Sequence, residues 1–246
     1  MSDKLEIAIA GATGFVGIEL IKKLYDHPNV NLKYLFVKES IDEDIYKSLP
    51  NNITDLPKLK KLDINLIKKC DVFFSALPHA ELHKIAKEII SNTVIIDLSA
   101  DFRLPDISVY EKWYKIKHES PELQSQSTYG LSEIFRDKIV KSNLISCPGC
   151  YPTSVLLPLI PLIHNKMVDC SNIIIDSKSG YSGAGKKIYN NKDYPNLDEN
   201  IAIYGVGNHR HMPEINYYLS LYSNETIEVS FTPHLIPTFR GMLSTI

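Results

Sequence analysis

The segment Cys147-Pro148-Gly149-Cys150 carries the residues of this chain best suited to covalent chemistry. Pro152 follows two residues later, and proline favours the first turn of a helix, so we place Cys150 at or just before a helix N-terminus. The positive end of a helix dipole and the N–H groups of its first turn favour a thiolate over a thiol. A thiolate at such a position is a nucleophile suited to covalent catalysis.

Three kinds of site contain two cysteines at this spacing. A zinc site needs further ligands, and neither Cys70 nor Cys170 belongs to a second pair. A redox dithiol is consistent with two cysteines at a helix start, but it leaves the glycine and histidine motifs described below without a role. A single nucleophile, Cys150, is consistent with all of these motifs if a base lies elsewhere in the chain. We favour the single nucleophile.

A short polar segment before a predicted helix is the source of that base. His209, Arg210, His211 and Glu214 lie within six residues of one another. A thiolate mechanism needs an imidazole to hold or move protons near neutral pH. For each histidine, a polar cluster that caps the helix is an equally good interpretation.

A strand, a glycine turn and a helix follow one another near the N-terminus. The apolar run 5–10 leads into Gly11-Ala12-Thr13-Gly14-Phe15-Val16-Gly17 and then into a segment with helical spacing. Gly11 and Gly14 allow a tight turn and the close approach of a pyrophosphate, while Gly17 allows the helix to pack on the sheet. This spacing is a variant of the dinucleotide pattern, and a βα turn without a ligand is the alternative.

The end of the second strand bears on which dinucleotide binds. An NAD site often has an acidic residue at this position to hold the ribose hydroxyls. Here Lys38 follows Val37 directly, with Glu39 and Ser40 after it. A cation and a hydroxyl favour a 2′-phosphate and hence NADP, and two solvated surface side chains are the alternative interpretation.

Further apolar runs at 71–77 and 93–99 alternate with helical segments, which predicts a parallel, doubly wound sheet of the α/β class. The loop after the second run lies at the carboxyl end of its strand, where such sheets bind ligands. Arg103 in this loop is suited to a phosphate or carboxylate, or to an ion pair with Asp97 or Asp101.

A loop of small residues, Ser179 to Gly185, follows a predicted strand in the second half of the chain. Such a loop can bring backbone N–H groups against an anion or a flat ring, and a flexible surface loop is the alternative.

The positions of the prolines lead to two further predictions about helices and strands. Pro158 and Pro161 predict that the helix after Cys150 is kinked or broken early, and the prolines of run 231–241 predict an edge strand.

Composition limits the classes of function. The chain has 246 residues, 44% hydrophobic and 23% charged, as in a globular protein with one large domain or two modest ones. A net charge of −2 does not favour nucleic acid, and no apolar run approaches the length of a membrane span. Four irregularly spaced cysteines and a strand that begins at residue 5 predict a cytoplasmic protein. No resident metal is predicted.

Seven segments occur in one order between residues 5 and 245: GATGFVG, DLSADFRL, YGLSEI, CPGCYPT, SGYSGAGKK, HRHMPEI and FTPHLIPTFRGM. Together they resemble the N-acetyl-γ-glutamyl-phosphate reductase family, which is related to aspartate-semialdehyde dehydrogenase. The resemblance implies a Rossmann domain over residues 1–145 and an α+β catalytic domain over residues 146–246. It also implies a homodimer or homotetramer, and a chain that is truncated inside the sheet of the catalytic domain.

The resemblance implies that NADPH reduces N-acetyl-γ-glutamyl phosphate to N-acetylglutamate 5-semialdehyde, a step of arginine biosynthesis, through a thioester on Cys150. It implies His209 as the acid or base, with His211 as a rival and Glu214 beside them. We assign Arg103, Ser179 and Arg210 to the substrate. The assigned cofactor contacts are Gly11, Thr13, Gly14, Phe15, Val16, Gly17, Lys38, Ser182, Gly183 and Ala184.

Two alternatives stay open. The first is a reductase of a related acyl phosphate, such as a carrier-bound aminoadipyl or glutamyl phosphate, or aspartyl phosphate. The second is a truncated nucleotide-binding module without turnover. The chain also departs from the family at Cys147, where the family usually has asparagine. That cysteine is expected to tune the thiolate or to form a disulfide under oxidation.

Overall fold

The structure is a computed structural model, and it describes residues 4–39, 41–186, 199–223 and 225–246. Contacts divide the chain into two units. The first unit consists of Met1–Ile107 and Lys117–Cys147, and the second of Ser108–Ile116 and Pro148–Ile246.

A parallel sheet of seven strands forms the first unit within the described residues. The strands are β1 (Leu5–Ala10), β2 (Val30–Val37), β3 (Leu59–Lys61), β4 (Val72–Ser75), β5 (Val94–Asp97), β6 (Ser127–Tyr129) and β7 (Leu144–Ser146). Their spatial order is β3-β2-β1-β4-β5-β7-β6, and every pair is parallel. The direction of winding therefore changes next to β1, as in a Rossmann sheet. The predicted α/β class is confirmed.

Both faces of this sheet are covered by apolar side chains. On β1, Ile7 and Ile9 pack into one buried cluster, whereas Ala8 and Ala10 pack into another. Successive side chains of a strand point to opposite faces, so the two clusters lie on the two sides of the sheet. The helices of this unit are α1 (Phe15–Leu24), α2 (Ile64–Ile67), α3 (Ala86–Ile89) and α5 (Ser132–Ile139), with 3₁₀ turns at Ile45–Ser48, Leu82–Lys84 and Pro121–Gln126.

The glycine turn joins β1 to α1 at very short range. Gly11 has a φ of +76°, and a Cβ atom there would lie 2.3 Å from the carbonyl oxygen of Ala76. A Cβ atom at Gly17 would lie 2.2 Å from the carbonyl oxygen of Gly11. Both distances are far below van der Waals contact. A larger residue at Gly11 would push the turn away from Ala76, and a larger residue at Gly17 would push α1 away from the turn after β1.

A mixed sheet forms the second unit. Its strands are β8 (Ile174–Ser179), β9 (Ala202–Ile203), β10 (Ser230–Leu235) and β11 (Met242–Thr245), in the order β11-β8-β10-β9. Strands β8 and β10 are parallel, and the other two pairs are antiparallel. The helices are α4 (Ile107–Tyr114), α6 (Cys150–His164) and α7 (Met212–Ser220), with a 3₁₀ turn at Tyr181–Ala184. The predicted α+β class of the second half is confirmed.

The predicted position of one strand is wrong. β10 contains Pro233, yet it lies between β8 and β9 rather than at an edge. The carbonyl oxygen of Pro233 accepts the N–H of Tyr204. In a strand the N–H and C=O groups of one residue point to the same side, so the donor that Pro233 lacks would also have faced β9. On that side only His234 and Leu235 pair with β9. The proline is accommodated because the ladder to β9 ends where the proline begins.

The helix after Cys150 is not broken at its prolines. α6 runs from Cys150 to His164 and includes both Pro158 and Pro161. Its buried face consists of Tyr151, Pro152, Val155, Leu156, Leu159, Ile160 and Ile163. Burial of this apolar face offsets the roughly 3 kcal/mol that each interior proline costs. Within the described ranges, no helix is both long enough and apolar enough to cross a membrane.

We expect Gly17→Ala to lower the free energy of unfolding by about 1–3 kcal/mol, because the new methyl group overlaps backbone atoms of the turn. Gly14→Ala is the matched control, since its Cβ atom would meet only the Gly11 carbonyl oxygen, at 3.2 Å. The control should cost about 0.5–1 kcal/mol, because glycine is a better N-cap residue than alanine. Urea denaturation followed by circular dichroism measures both, and equal losses would contradict the packing argument.

Candidate active site

Cys150 is the first residue of α6, and it is exposed. The N-cap residue, Gly149, supplies no side-chain cap to the helix. Pro152 has no N–H, so the donors of the first turn after the cap are the N–H groups of Cys150 and Tyr151. The helix end therefore presents partial positive charge around the sulfur, which favours the thiolate.

His211 lies directly against Gly149, the residue that precedes Cys150. A Cβ atom at Gly149 would lie 2.6 Å from Nε2 of His211 and 2.8 Å from its Cε1. The face of Gly149 that would carry a side chain is therefore filled by the imidazole, and only glycine leaves room for it. The structure thus brings an imidazole to the peptide that ends at Cys150.

Glu214, on α7, contacts the same glycine. Its Oε1 accepts the N–H of Gly149 at 2.9 Å, and the residue is only 1% exposed. Glu214 lies in the first turn of α7, where the helix dipole stabilises a carboxylate. A hydrogen bond to a charged acceptor is about twice as strong as a neutral one. Glu214 therefore links the start of α7 to the start of α6.

His209 has a different environment from His211. Its Nδ1 accepts the backbone N–H of His211 at 3.1 Å. Its ring makes edge-to-face contacts with Tyr151, Tyr204 and Phe231, at centroid separations of 5.4, 5.5 and 5.3 Å. Burial, together with the nearby charge of Arg210, lowers the pKa of His209 to about 4. His209 is therefore a neutral imidazole at physiological pH.

Tyr151 is not among the predicted site residues. It is 2% exposed, and its hydroxyl group lies 2.8 Å from that of Tyr204. Its ring contacts the rings of both His209 and His211, while burial raises the pKa of its hydroxyl group. The available sequence signal is its position next to Cys150 on the buried side of a helix start.

Arg103 and Cys147 meet in the first unit. The Nε of Arg103 donates to the carbonyl oxygen of Cys147 at 2.7 Å, and Nη2 donates to that of Leu98 at 3.2 Å. The arginine is buried and fastens the loop after β5 to the end of β7. Burial and the nearby Asp97 raise the pKa of the Cys147 thiol to about 11. Cys147 therefore remains a thiol at neutral pH.

Comparisons with known proteins identify the family of this chain. Residues 6–142 match the family model for the semialdehyde dehydrogenase NAD binding domain, and residues 150–246 match the model for the semialdehyde dehydrogenase dimerisation domain. The N-acetyl-gamma-glutamyl-phosphate reductase of Methanosphaera stadtmanae is 46% identical over 98% of this chain and 70% of that protein. The enzyme of the same name from Clostridium beijerinckii is 44% identical over 98% of this chain and 71% of that protein.

The chain belongs to the N-acetyl-gamma-glutamyl-phosphate reductase branch of the semialdehyde dehydrogenase family. Solved structures show the same fold at lower identity. Aspartate semialdehyde dehydrogenase II of Vibrio cholerae has a TM-score of 0.69 at 16% identity, over 99% of this chain and 73% of that one. Aspartate semialdehyde dehydrogenase of Candida albicans, solved with NADP, has a TM-score of 0.59 at 16% identity, over 98% of this chain and 70% of that one.

The first unit of this reductase-family chain has a turn that fits a dinucleotide. The left-handed Gly11 and the close packing at Gly17 shape the backbone from residue 11 to residue 17 around the start of α1. Gly14 gives α1 no side-chain cap, and the first turn contains no acidic residue. A helix start without an acidic first turn, preceded by a tight glycine turn, is the kind of site at which a pyrophosphate binds.

Lys38 follows β2 beside this turn. Its side chain is 76% exposed, and its Nζ lies 3.8 Å from Oε1 of Glu81. An exposed pair at this distance is worth about 1 kcal/mol or less, so a 2′-phosphate would compete with Glu81 for the lysine. Ser40, the predicted hydroxyl partner, lies outside the described residues.

The other predicted contacts lie in the second unit. The N–H groups of Tyr181 and Ser182 donate to the carbonyl oxygens of Thr238 and Phe239, and that of Gly183 donates to Gly180. These three N–H groups therefore donate within the chain and are not available to an anion.

Ser179 and Arg210 were assigned to the substrate. Ser179 is buried, and its hydroxyl group donates to the carbonyl oxygen of Gly180. The guanidinium carbon of Arg210 lies 5.3 Å from the ring centroid of Tyr114. Among the described residues, no group of three or more histidine, cysteine or acidic side chains is placed to hold a metal ion.

We expect iodoacetamide at pH 8 to label Cys150 at least ten times faster than Cys147. With a pKa of about 11, only about a thousandth of the Cys147 thiol is ionised at that pH. Peptide mass spectrometry measures both rates. Cys147→Ser should leave the Cys150 rate within a factor of about two, and equal labelling of both cysteines would instead favour the redox dithiol.

Proposed function

We propose that this chain catalyses the NADPH-dependent reduction of N-acetyl-γ-glutamyl phosphate to N-acetylglutamate 5-semialdehyde, with release of phosphate. The relatives at 44% and 46% identity carry the name of this reductase. The single observation that carries the proposal is the arrangement at Gly149. There, an imidazole and a buried carboxylate both contact the glycine that directly precedes an exposed cysteine at a helix start.

Cys150 acts as the nucleophile in the first half of the reaction. Its thiolate attacks the carbonyl carbon of the acyl phosphate, and the oxyanion of the tetrahedral adduct faces the N–H groups at the start of α6. The bond from this carbon to the phosphate oxygen then breaks. Phosphate leaves with the electron pair of that bond, and a thioester remains on Cys150.

His211 carries the proton. As an imidazolium it donates to the departing phosphate and later regains a proton from solvent, so one proton is consumed in each turnover. NADPH, held by the turn from residue 11 to residue 17, would supply the hydride for reduction of the thioester on Cys150 to a thiohemiacetal. When this adduct collapses, the carbonyl bond reforms, the C–S bond breaks and Cys150 is again a thiolate. Glu214 keeps the Gly149 peptide in place throughout.

The remaining assignments concern the cofactor, Arg103 and the assembly of the chain. The turn from residue 11 to residue 17 holds the pyrophosphate, and Lys38 holds the 2′-phosphate of NADP. Arg103 positions the segment before the nucleophile through the Cys147 carbonyl group rather than binding substrate directly. A homodimer or homotetramer is supported by the match of residues 150–246 to a dimerisation domain. The four cysteines, all within the described ranges, form no disulfide, which suits the reducing cytoplasm.

We expect Cys150→Ser to abolish the reverse reaction, the phosphate-dependent reduction of NADP by N-acetylglutamate semialdehyde, because a serine hydroxyl group at this site is not ionised. Cys147→Ser, the matched control, should keep more than about a third of wild-type activity, since the raised pKa of the Cys147 thiol keeps it un-ionised at neutral pH. Absorbance at 340 nm follows the reaction. Equal loss in both variants would contradict the single-nucleophile mechanism.

The same assay separates the alternative functions. Aspartyl phosphate and carrier-bound aminoadipyl or glutamyl phosphates are compared with N-acetyl-γ-glutamyl phosphate in the forward direction. A higher kcat/KM for a carrier-bound substrate would overturn the proposed substrate. NADPH binding without oxidation of NADPH by any of these phosphates would favour a nucleotide-binding module.

We expect Gly149→Ala to lower kcat by about 10²–10⁴-fold, which is the usual contribution of a positioned acid or base, because the methyl group displaces the His211 ring. Gly207→Ala is a control in the second unit, since nothing lies within 4 Å of its Cβ position although its φ is +71°. Steady-state kinetics and thermal unfolding of both variants test this. A Gly149→Ala enzyme with normal kcat would contradict the assignment of His211.

A further inference from the structure

The two histidines of the HRH segment differ in which ring nitrogen is available. A backbone N–H can only donate, so the Nδ1 of His209, which accepts from the N–H of His211, carries no proton. Any proton on the neutral ring therefore lies on Nε2. For Nε2 to act as a base, the ring would need its proton on Nδ1, which would then face the N–H of His211 at 3.1 Å. Two donors in that geometry repel each other.

The surroundings of the His209 ring restrict it further. The rings of Tyr151, Tyr204 and Phe231, which we call the aromatic cluster, contact it edge to face from three different parts of the second unit. Tyr151 lies on α6, Phe231 on β10 and Tyr204 just after β9. The hydroxyl contact between Tyr151 and Tyr204 closes the cluster around the ring. An imidazolium in this cluster would lose solvation, which agrees with the lowered pKa of His209.

Both the backbone and the ring of His211 contact His209. Its backbone N–H bonds to Nδ1 of His209, and the centroids of the two rings lie 4.9 Å apart at an interplanar angle of 73°. His211 is also the N-cap residue of α7, so fixing its backbone fixes where that helix starts. On its other side the ring of His211 lies on Gly149.

We propose that His209 is a positioning residue, which holds the backbone and ring of His211 against Gly149 and carries no proton in the reaction. This inference rests on the proposed function, in which His211 moves the proton. His209→Asn keeps an acceptor close to the place of Nδ1, while His209→Phe keeps the ring and loses the acceptor. His211→Asn serves as the comparison for loss of the proton carrier.

The first test is the pH profile of kcat with NADPH and the acyl phosphate. We expect His209→Asn to retain kcat within about threefold, and His209→Phe to lose about 3–10-fold, as for one neutral hydrogen bond. Both should keep the wild-type shape of the profile. His211→Asn should lower kcat by about 10²–10⁴-fold, and its pH profile should lack the limb that is due to the proton carrier. If His209→Asn removes that limb, or loses as much as His211→Asn, the proposal is overturned.

The second test does not depend on turnover. In ¹H–¹⁵N spectra of the NADPH-bound protein, the His209 ring should show a single proton on Nε2 and no titration above about pH 5. A charged His209 ring at pH 7 would overturn the proposal. The rate of Cys150 alkylation against pH gives a further comparison, in which His209→Asn should match wild type. If the reductase assay fails in wild type, the proposed function fails, while the spectra still decide the state of His209.

Discussion

Two contacts on a single glycine hold the start of α6 to the start of α7. The carboxylate of Glu214 accepts the N–H of Gly149, and the imidazole of His211 fills the space where a side chain would otherwise lie. Cys150 follows this glycine directly, so the direction of its backbone, its place at the positive end of α6 and the position of the imidazole beside Gly149 are set together. A change in the packing of either helix would therefore alter all three at once.

Local sequence patterns predicted the first unit well because each of its strands, turns and helices is determined by residues that are neighbours in the sequence. The run of β1, the glycine turn and α1 differ in hydrophobic period and are separated by residues with distinct backbone preferences. The second unit was harder because context overrode two local preferences. Pro233 occupies an inner strand where its neighbour β9 is only two residues long. Pro158 and Pro161 remain within α6 because the apolar face of that helix is buried.

The candidate site was predicted in part for the same reason. The position of Cys150 at a helix start follows from the proline after it, which is a local signal. The choice between His209 and His211 depends on which ring nitrogen meets which donor, and no spacing contains that information. Tyr151 acts through contacts with residues more than 50 positions away, such as Tyr204. Its aromatic side chain next to Cys150 becomes informative only once the fold is known.

The proline in β10 also affects how the protein behaves at high concentration. In an antiparallel ladder the residue opposite Tyr204 would exchange two hydrogen bonds with it, but Pro233 provides only the acceptor. The strand on that side of the sheet ends after Ala202 and Ile203. Strand-by-strand aggregation needs a long row of unpaired backbone groups. This border of the sheet is too short to act as such a template, so neighbouring copies gain little by adding a strand there.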